Sequence, residues 1–142
     1  MTLAASAVDA NTGDVSYERG LELIRTGEYF EAHEELETAW RAAEPAERDF
    51  LQGLVHVAVA WYQAGRGNRV GCERQLEKAC RRLGPYAPAH RGLDVGALLA
   101  QVGAARTRIA AGILTLDPVE PNRLEDAVDR YVQPPRAIEE EQ

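Results

Sequence analysis

The chain has 142 residues, of which 45% are hydrophobic and 27% are charged, a composition typical of a single globular domain with its own core. Its formal net charge of -7 argues against a nucleic-acid or anionic membrane partner, because both need clustered positive charge on the protein. No stretch is long and apolar enough to cross a bilayer, and the spacing of Cys72 and Cys80 fits neither a zinc nor a redox motif, so we expect a cytoplasmic protein with reduced thiols.

Apolar residues recur at helical spacing along the chain, and no convincing strand alternation is present. Glycine, proline and capping residues separate the helices that this spacing predicts. The predicted helices cover residues 16–25, 28–43, 46–64 and 68–83, and a fifth helix follows the cap residue Asp94. Asn68 is predicted to cap the fourth helix. The expected fold class is therefore all-α, a compact bundle of five to six helices.

Three segments are expected along the chain. A flexible N-terminal tail covers residues 1–13, a single helical domain covers residues 14–112, and a C-terminal segment covers residues 113–142. Within the last segment, Leu124, Val128 and Tyr131 have the spacing of one short helix. The residues after that helix are expected to form a mobile tail.

A weak internal repeat relates two of the predicted helices. The segment GEYFEAHEELETAW, from Gly27, aligns with GNRVGCERQLEKAC, from Gly67, and the two share glycine, leucine, glutamate and alanine at equivalent positions. Each segment contains the second helix of a helix–turn–helix pair. This arrangement resembles the stacked hairpins of tetratricopeptide-type repeats, in which one pair cannot bury its apolar face alone.

The second predicted helix places charged residues beside its apolar face. With about 100° of rotation per residue, His33 lies within about 40° of both Tyr29 and Trp40, in the middle of the apolar stripe, and Glu37 lies about 40° to the other side. Glu34 falls on the border of the stripe. Residues at i and i+4 lie one above the other on a helix, so His33 and Glu37 can share a proton or a metal ion.

The third predicted helix contains no charged residue from Phe50 to Gly65, which predicts burial nearly all round. It nevertheless carries Gln52 and His56 in one polar line, and an unpaired buried polar group costs about 1–3 kcal/mol. We therefore expect this line to face the polar pair of the preceding helix. The resulting candidate polar site consists of His33, Glu34, Glu37, Trp40, Gln52 and His56.

The second helix contains His33-x-x-x-Glu37-x-x-Trp40 within GEYFEAHEELETAW, followed by RDFLQGLVHVAVAWYQ and by GN-x-x-G. In these motifs, and in RGLDVGALL, residues 17–110 resemble the family called domain of unknown function 309. The resemblance implies a small α-helical bacterial or archaeal protein without an assigned activity, whose signature has been suggested to bind metal. The resemblance implies that this signature consists of His33, Glu37 and Trp40 in the present chain. The family usually has glutamine at the position of His56.

Three functions remain open. A divalent metal such as zinc, manganese or iron, or a small ligand, would be held by His33 and Glu37, with His56 as a third ligand because a catalytic zinc needs three protein ligands and a water. Alternatively, the pair is a packing network that fixes helix register. The third function is a tetratricopeptide-like module that binds a protein partner or a second copy. Neither a nucleotide-binding glycine fingerprint nor a serine or cysteine nucleophile motif is present, so whether the protein is an enzyme is left open.

Overall fold

The computed structural model describes the backbone of residues 2–124 and the side chains of residues 12–124. Most of this chain is helical, and consecutive helices pack against one another. The helices are α1 (Thr2–Arg25), α2 (Tyr29–Arg41), α3 (Pro45–Gly65), α4 (Arg69–Leu83) and α5 (Val95–Ala110). The prediction of an all-α bundle is therefore confirmed, while the predicted sixth helix, which includes Val128 and Tyr131, lies outside the described residues.

The first helix is longer than its apolar spacing predicts. It begins at Thr2, so residues 2–13, expected as a tail, are helical. The added turns come from TLAASAVDA, which is rich in alanine, the residue with the highest intrinsic helix propensity. Alanine contributes little to apolar periodicity, and a prediction based on periodicity overlooks it. The predicted helix start at residue 16 is therefore wrong.

Three of the helices end at glycines with a left-handed backbone, α1 at Gly27, α3 at Gly67 and α5 at Gly112. Gly27 has φ of 82° and Gly67 has φ of 77°, values that favour glycine over other residues. The N–H groups of Glu28 and Asn68, which follow them, donate to carbonyl oxygens in the last turn of each helix, as expected at a helix C-terminus. The Asn68 side chain then accepts a bond from the Gly71 N–H at 2.9 Å, so its predicted role as a cap is confirmed.

The third helix lies between α2 and α4 and forms the centre of the core. Every residue from 50 to 64 is buried or half-buried, as its lack of charge predicts. Its buried side chains are Phe50, Leu51, Leu54, Val55, His56, Val57, Ala58, Ala60, Trp61 and Ala64. No helix in the described part of the chain, α3 included, is long and apolar enough to cross a membrane.

A short hairpin occupies the loop between α4 and α5, where the sequence predicts irregular chain. Strand β1 (Ala89–His90) pairs antiparallel with strand β2 (Leu93–Asp94). Arg91 and Gly92 form the turn between them, and both have positive φ. Asp94 then caps α5 by accepting a hydrogen bond from an N–H in its first turn, as the sequence predicts. The hairpin returns the chain toward the start of α3, where it contributes to a polar cluster.

After α5, residues 113–123 run back along the bundle without forming a helix. Val119 is fully buried, and the Asp117 carbonyl oxygen accepts a bond from Trp61 Nε1 at 2.8 Å. Residues 113–124 therefore share the core of the helical domain, which extends past the predicted boundary at residue 112. Pro118 and Pro121 interrupt any regular helical or strand pattern in this stretch, so periodicity does not reveal that it contains buried residues.

Candidate functional site

The buried face of α2 is centred on Leu36, with Ala32 and Ala39 beside it. His33 lies at the edge of this face with 22% of its side chain exposed, and Glu37 lies farther out with 45% exposed. The prediction that His33 occupies the middle of the apolar stripe is therefore wrong. The predicted stripe was centred on the aromatic residues Tyr29 and Trp40. The buried face instead contains Ala32 and Ala39, which are almost completely buried.

The orientation of the His33 ring is set by its own helix. Nδ1 lies 2.9 Å from the carbonyl oxygen of Phe30, so Nδ1 is the donor and the neutral ring carries its lone pair on Nε2. Nε2 lies 3.6 Å from Glu37 Oε2. The structure therefore brings the predicted pair together, at the protein surface rather than in the core.

A pocket of about 210 Å³ opens beside His33. It is lined by Tyr29, Phe30, His33, Val59, Tyr62 and Gln63. The Phe30 ring is 44% exposed, and its centroid lies 5.2 Å from that of His33 and 5.4 Å from that of Tyr62. Burial raises the pKa of Tyr29, so its hydroxyl stays protonated at neutral pH. The pocket therefore offers aromatic faces, with the His33 imidazole among its lining groups.

The other three predicted members on α2, which are Glu34, Glu37 and Trp40, do not line this pocket. Glu34 is exposed. Trp40 is half-buried, and the guanidinium carbon of Arg48 lies 4.6 Å from the centroid of its ring, which is a cation–π contact. Trp40 thus connects α2 to the first turns of α3, an arrangement that indicates a structural role.

His56 is directed to α4 rather than to α2. It is only 8% exposed, and its Nδ1 lies 2.7 Å from Gln75 Oε1. Within the described residues, no group of three or more His, Cys, Asp or Glu side chains is placed to hold a metal ion, so His56 does not join His33 and Glu37. Gln52 is half-buried on the same helix. The expected contact between His56 and α2 does not form. The helix α3 packs against both α2 and α4, and the spacing of its polar residues does not predict which of the two helices they face.

The burial of His56 makes the stability of the folded protein depend on pH. Burial lowers the pKa of His56 and the charges of Arg82, Lys78 and Arg81 add to that effect, while the bond to Gln75 opposes it. Below about pH 6.5, His56 therefore binds a proton in the unfolded chain more readily than in the folded protein. Acid thus stabilises the unfolded state relative to the folded state. We expect the free energy of unfolding to fall from about pH 7 to about pH 5, and to fall less in His56→Gln. Urea unfolding at each pH measures both slopes, and equal slopes would contradict the assignment.

A second polar cluster, which the predicted site does not include, lines a larger cleft of about 590 Å³. His90 Nε2 lies 2.9 Å from Glu47 Oε1. Arg91 Nη2 lies 2.7 Å from Asp14 Oδ1, and Arg91 Nη1 lies 3.7 Å from Glu47 Oε1. The Arg91 guanidinium also lies 4.3 Å from the centroid of the Tyr17 ring. The cluster thus joins α1, the first turn of α3 and the hairpin.

This cluster could not be found from sequence spacing. Asp14, Glu47 and His90 belong to three separate elements, and His90 has no partner near it in the sequence. The one local signal is Arg91-Gly92, whose glycine indicates a turn. A turn signal does not reveal which helices the hairpin meets, so the partners of His90 depend on the tertiary fold.

Comparison with known proteins places the signature in a family. Residues 17–75 match the family described as domain of unknown function (DUF309). The uncharacterized protein YpuF of Bacillus subtilis (strain 168) is 32% identical over 116 residues, which cover 75% of this chain and 65% of that protein. The chain therefore spans less than two thirds of the length of this relative. The resemblance inferred from His33, Glu37 and Trp40 is confirmed over residues 17–75, the part of the chain that matches this family model.

Proposed function

We propose that the domain binds a divalent metal ion together with a small ligand at the pocket beside His33. One observation carries the proposal: the bond from Nδ1 to the Phe30 carbonyl leaves the lone pair on Nε2, which lies 3.6 Å from Glu37 Oε2. A backbone carbonyl bonded to one ring nitrogen is a common way to orient a histidine whose other nitrogen binds a metal.

The two atoms have the spacing that a shared ion requires. Two ligands of a tetrahedral zinc, each at about 2.1 Å from the metal, lie about 3.4 Å apart, close to the 3.6 Å between His33 Nε2 and Glu37 Oε2. Two protein ligands leave positions for water and for a ligand in the pocket, with zinc, manganese or iron as the metal. A metal held in this way polarises an oxygen of the bound ligand. The proposal concerns binding and assigns no catalytic residue.

Metal titration of the native protein, purified without a chelator or a metal-affinity tag, tests this site. At a tenfold excess over its dissociation constant, a metal that binds only the folded state raises the free energy of unfolding by about 1.4 kcal/mol. We expect this gain in urea unfolding, and we expect His33→Ala and Glu37→Gln to lose it because each removes one ligand. Glu31→Gln, an exposed position on the same helix, makes the same charge change as Glu37→Gln and should keep the gain.

Two results would contradict the metal site. One is a native protein that gains no stability from zinc, manganese or iron. The other is an unchanged gain in His33→Ala, because the ion would then be bound elsewhere. His56→Gln should respond to the metal as the native protein does, since His56 is bonded to Gln75 on α4.

A second candidate function is a protein-interaction module, and the exposure of Phe30 favours it. An aromatic ring that is 44% exposed beside the rings of His33 and Tyr62 is the kind of side chain that protein interfaces cover. Tetratricopeptide-like stacking of the hairpins, with a protein partner or a second copy over Phe30, belongs to this candidate. The pair of His33 and Glu37 is then a packing network, and the metal titration gives no gain.

A further inference from the structure

The larger cleft is a cavity built from several elements rather than a gap between two of them. Its volume of about 590 Å³ falls within the range of about 300–1,000 Å³ that is typical of small-molecule sites. The residues that line it come from α1, the end of α2, the turn before α3, the first turn of α3 and the hairpin, and they include Asp14, Ala39, Ala42, Glu44, Glu47 and Arg91.

The hairpin side of the cleft is held in a fixed position. Arg91 has φ of 53°, a left-handed conformation that residues other than glycine and asparagine rarely adopt. The Tyr17 hydroxyl donates to the Arg91 carbonyl oxygen at 3.2 Å, and the Tyr17 ring lies beneath the guanidinium. Burial raises the pKa of Tyr17 to about 12, so the hydroxyl remains a neutral donor. Both the backbone and the side chain of Arg91 are therefore fixed before any ligand arrives.

The inner carboxylate of the cleft, Glu47, already has two partners. The two carboxylate oxygens of Glu47 lie 2.9 Å and 3.0 Å from His90 Nε2, and Glu47 also lies 3.7 Å from Arg91. The His90 ring is fixed edge-on against Phe50, with 4.7 Å between their centroids. An anion that entered here would compete with Glu47 for both of its partners. The inner groups therefore disfavour an anionic ligand.

Three carboxylates line the cleft against Arg91 and His90, so its formal charge is negative even with His90 protonated, and Asp14 and Glu44 are its exposed carboxylates. Asp14 is 72% exposed and contacts Arg91 through one oxygen. Glu44 is exposed and makes no capping hydrogen bond to α3. The same cleft includes Ala42, at the C-terminal end of α2, where the helix dipole is negative. The partial positive charge at the N-terminus of α3 is compensated by the carboxylate of Glu47 in the first turn of that helix.

We propose that this cleft binds a small molecule through a protonated amine, with Asp14 and Glu44 as its charge partners. Ala42 and Ala43, which are both half-buried, provide an apolar surface for the carbon chain next to the amine. The site is separate from the pocket beside His33, because the rise of about 1.5 Å per residue places His33 and Ala42 about 13 Å apart along the axis of α2. The two proposals therefore succeed or fail independently.

Nuclear magnetic resonance titration of the full chain with n-butylammonium chloride tests the proposal. We expect saturable shifts at the amides of Gly13, Ala42 and Arg91, with a dissociation constant in roughly the millimolar range for so small a ligand. The double variant Asp14→Asn and Glu44→Gln should weaken binding about threefold to tenfold, because it removes two exposed charge partners. Sodium butyrate and butanol, at matched ionic strength, should produce no saturable shifts at these amides.

A control variant separates the cleft from the general attraction of an acidic protein for cations. Glu31→Gln combined with Glu73→Gln makes the same change in net charge at two exposed positions outside the cleft, and it should bind butylammonium as the native protein does. Equal weakening in this control, or binding of butyrate as tight as that of butylammonium, would overturn the proposal. So would shifts that do not saturate. His33→Ala should leave butylammonium binding unchanged.

Discussion

Replacing Phe50 with alanine should lower the free energy of unfolding by about 3–5 kcal/mol. The ring is fully buried near the start of α3, and its centroid lies 6.0 Å from that of Tyr17, 5.3 Å from that of Tyr86 and 4.7 Å from that of His90. It therefore joins α1, α3 and the chain around the hairpin in one aromatic cluster. Removing the ring loses the free energy gained by burying it and leaves a cavity. Tyr17, Tyr86 and His90 cannot move to fill this cavity, because each is held by other contacts.

Urea unfolding of Phe50→Ala beside Phe30→Ala measures this effect against a matched control. Both variants lose the same side chain, but Phe30 is 44% exposed, so its removal should cost about 1 kcal/mol or less. Similar losses in the two variants would contradict a core centred on the start of α3. A change in the slope of unfolding with urea would instead show that the denatured or native state of a variant differs in compactness.

The sequence predicts the middle helices well because their ends are determined locally. Left-handed glycines such as Gly67 end a helix, and Asn68 and Asp94 begin one, through hydrogen bonds between residues close in the chain. The first helix was predicted too short because alanine-rich segments favour helix without producing an amphipathic pattern. The burial of Val119 could not be predicted either, since it depends on contacts with helices far away in the sequence.

The candidate site was predicted where it depends on one helix and missed where it depends on several. His33 and Glu37 lie one turn apart, so helical geometry alone brings them together. The partner of His56 is Gln75 on α4, and that of His90 is Glu47 on α3. Both pairs result from the way the helices pack. A sequence gives the residues that need partners, whereas the packing of the elements decides which partners they find.

The three residues of the family signature have different surroundings in this structure. His33 and Glu37 are partly exposed at the edge of α2, and Trp40 lies under the guanidinium of Arg48. A purely structural signature would be expected to lie in the core, as Leu36 does. The partial exposure of the first two residues favours a ligand over a packing network, and the metal titration separates these functions. Trp40 instead contacts Arg48 near the start of α3.

Replacing Gly53 with alanine should lower the free energy of unfolding by about 1–3 kcal/mol, although alanine is the better helix former. A Cβ atom at Gly53 would lie 2.6 Å from Leu83 Cγ and 3.4 Å from Arg82 Cβ. Leu83 is fully buried, so it cannot move aside without disturbing the contact between α3 and α4. The expected loss exceeds the gain of about 0.5–1 kcal/mol that alanine gives in a helix interior.

The glycine at position 103 provides the opposite case within the same protein. Gly103 lies inside α5, and a Cβ atom there would meet no atom of the described residues beyond its own stretch of helix within 4 Å. Gly103→Ala should therefore raise the free energy of unfolding by about 0.5–1 kcal/mol, because only the helix propensity changes. Urea unfolding of the two variants should give changes of opposite sign. If Gly53→Ala also stabilised the protein, α3 and α4 would have to pack less closely than the contact with Leu83 requires.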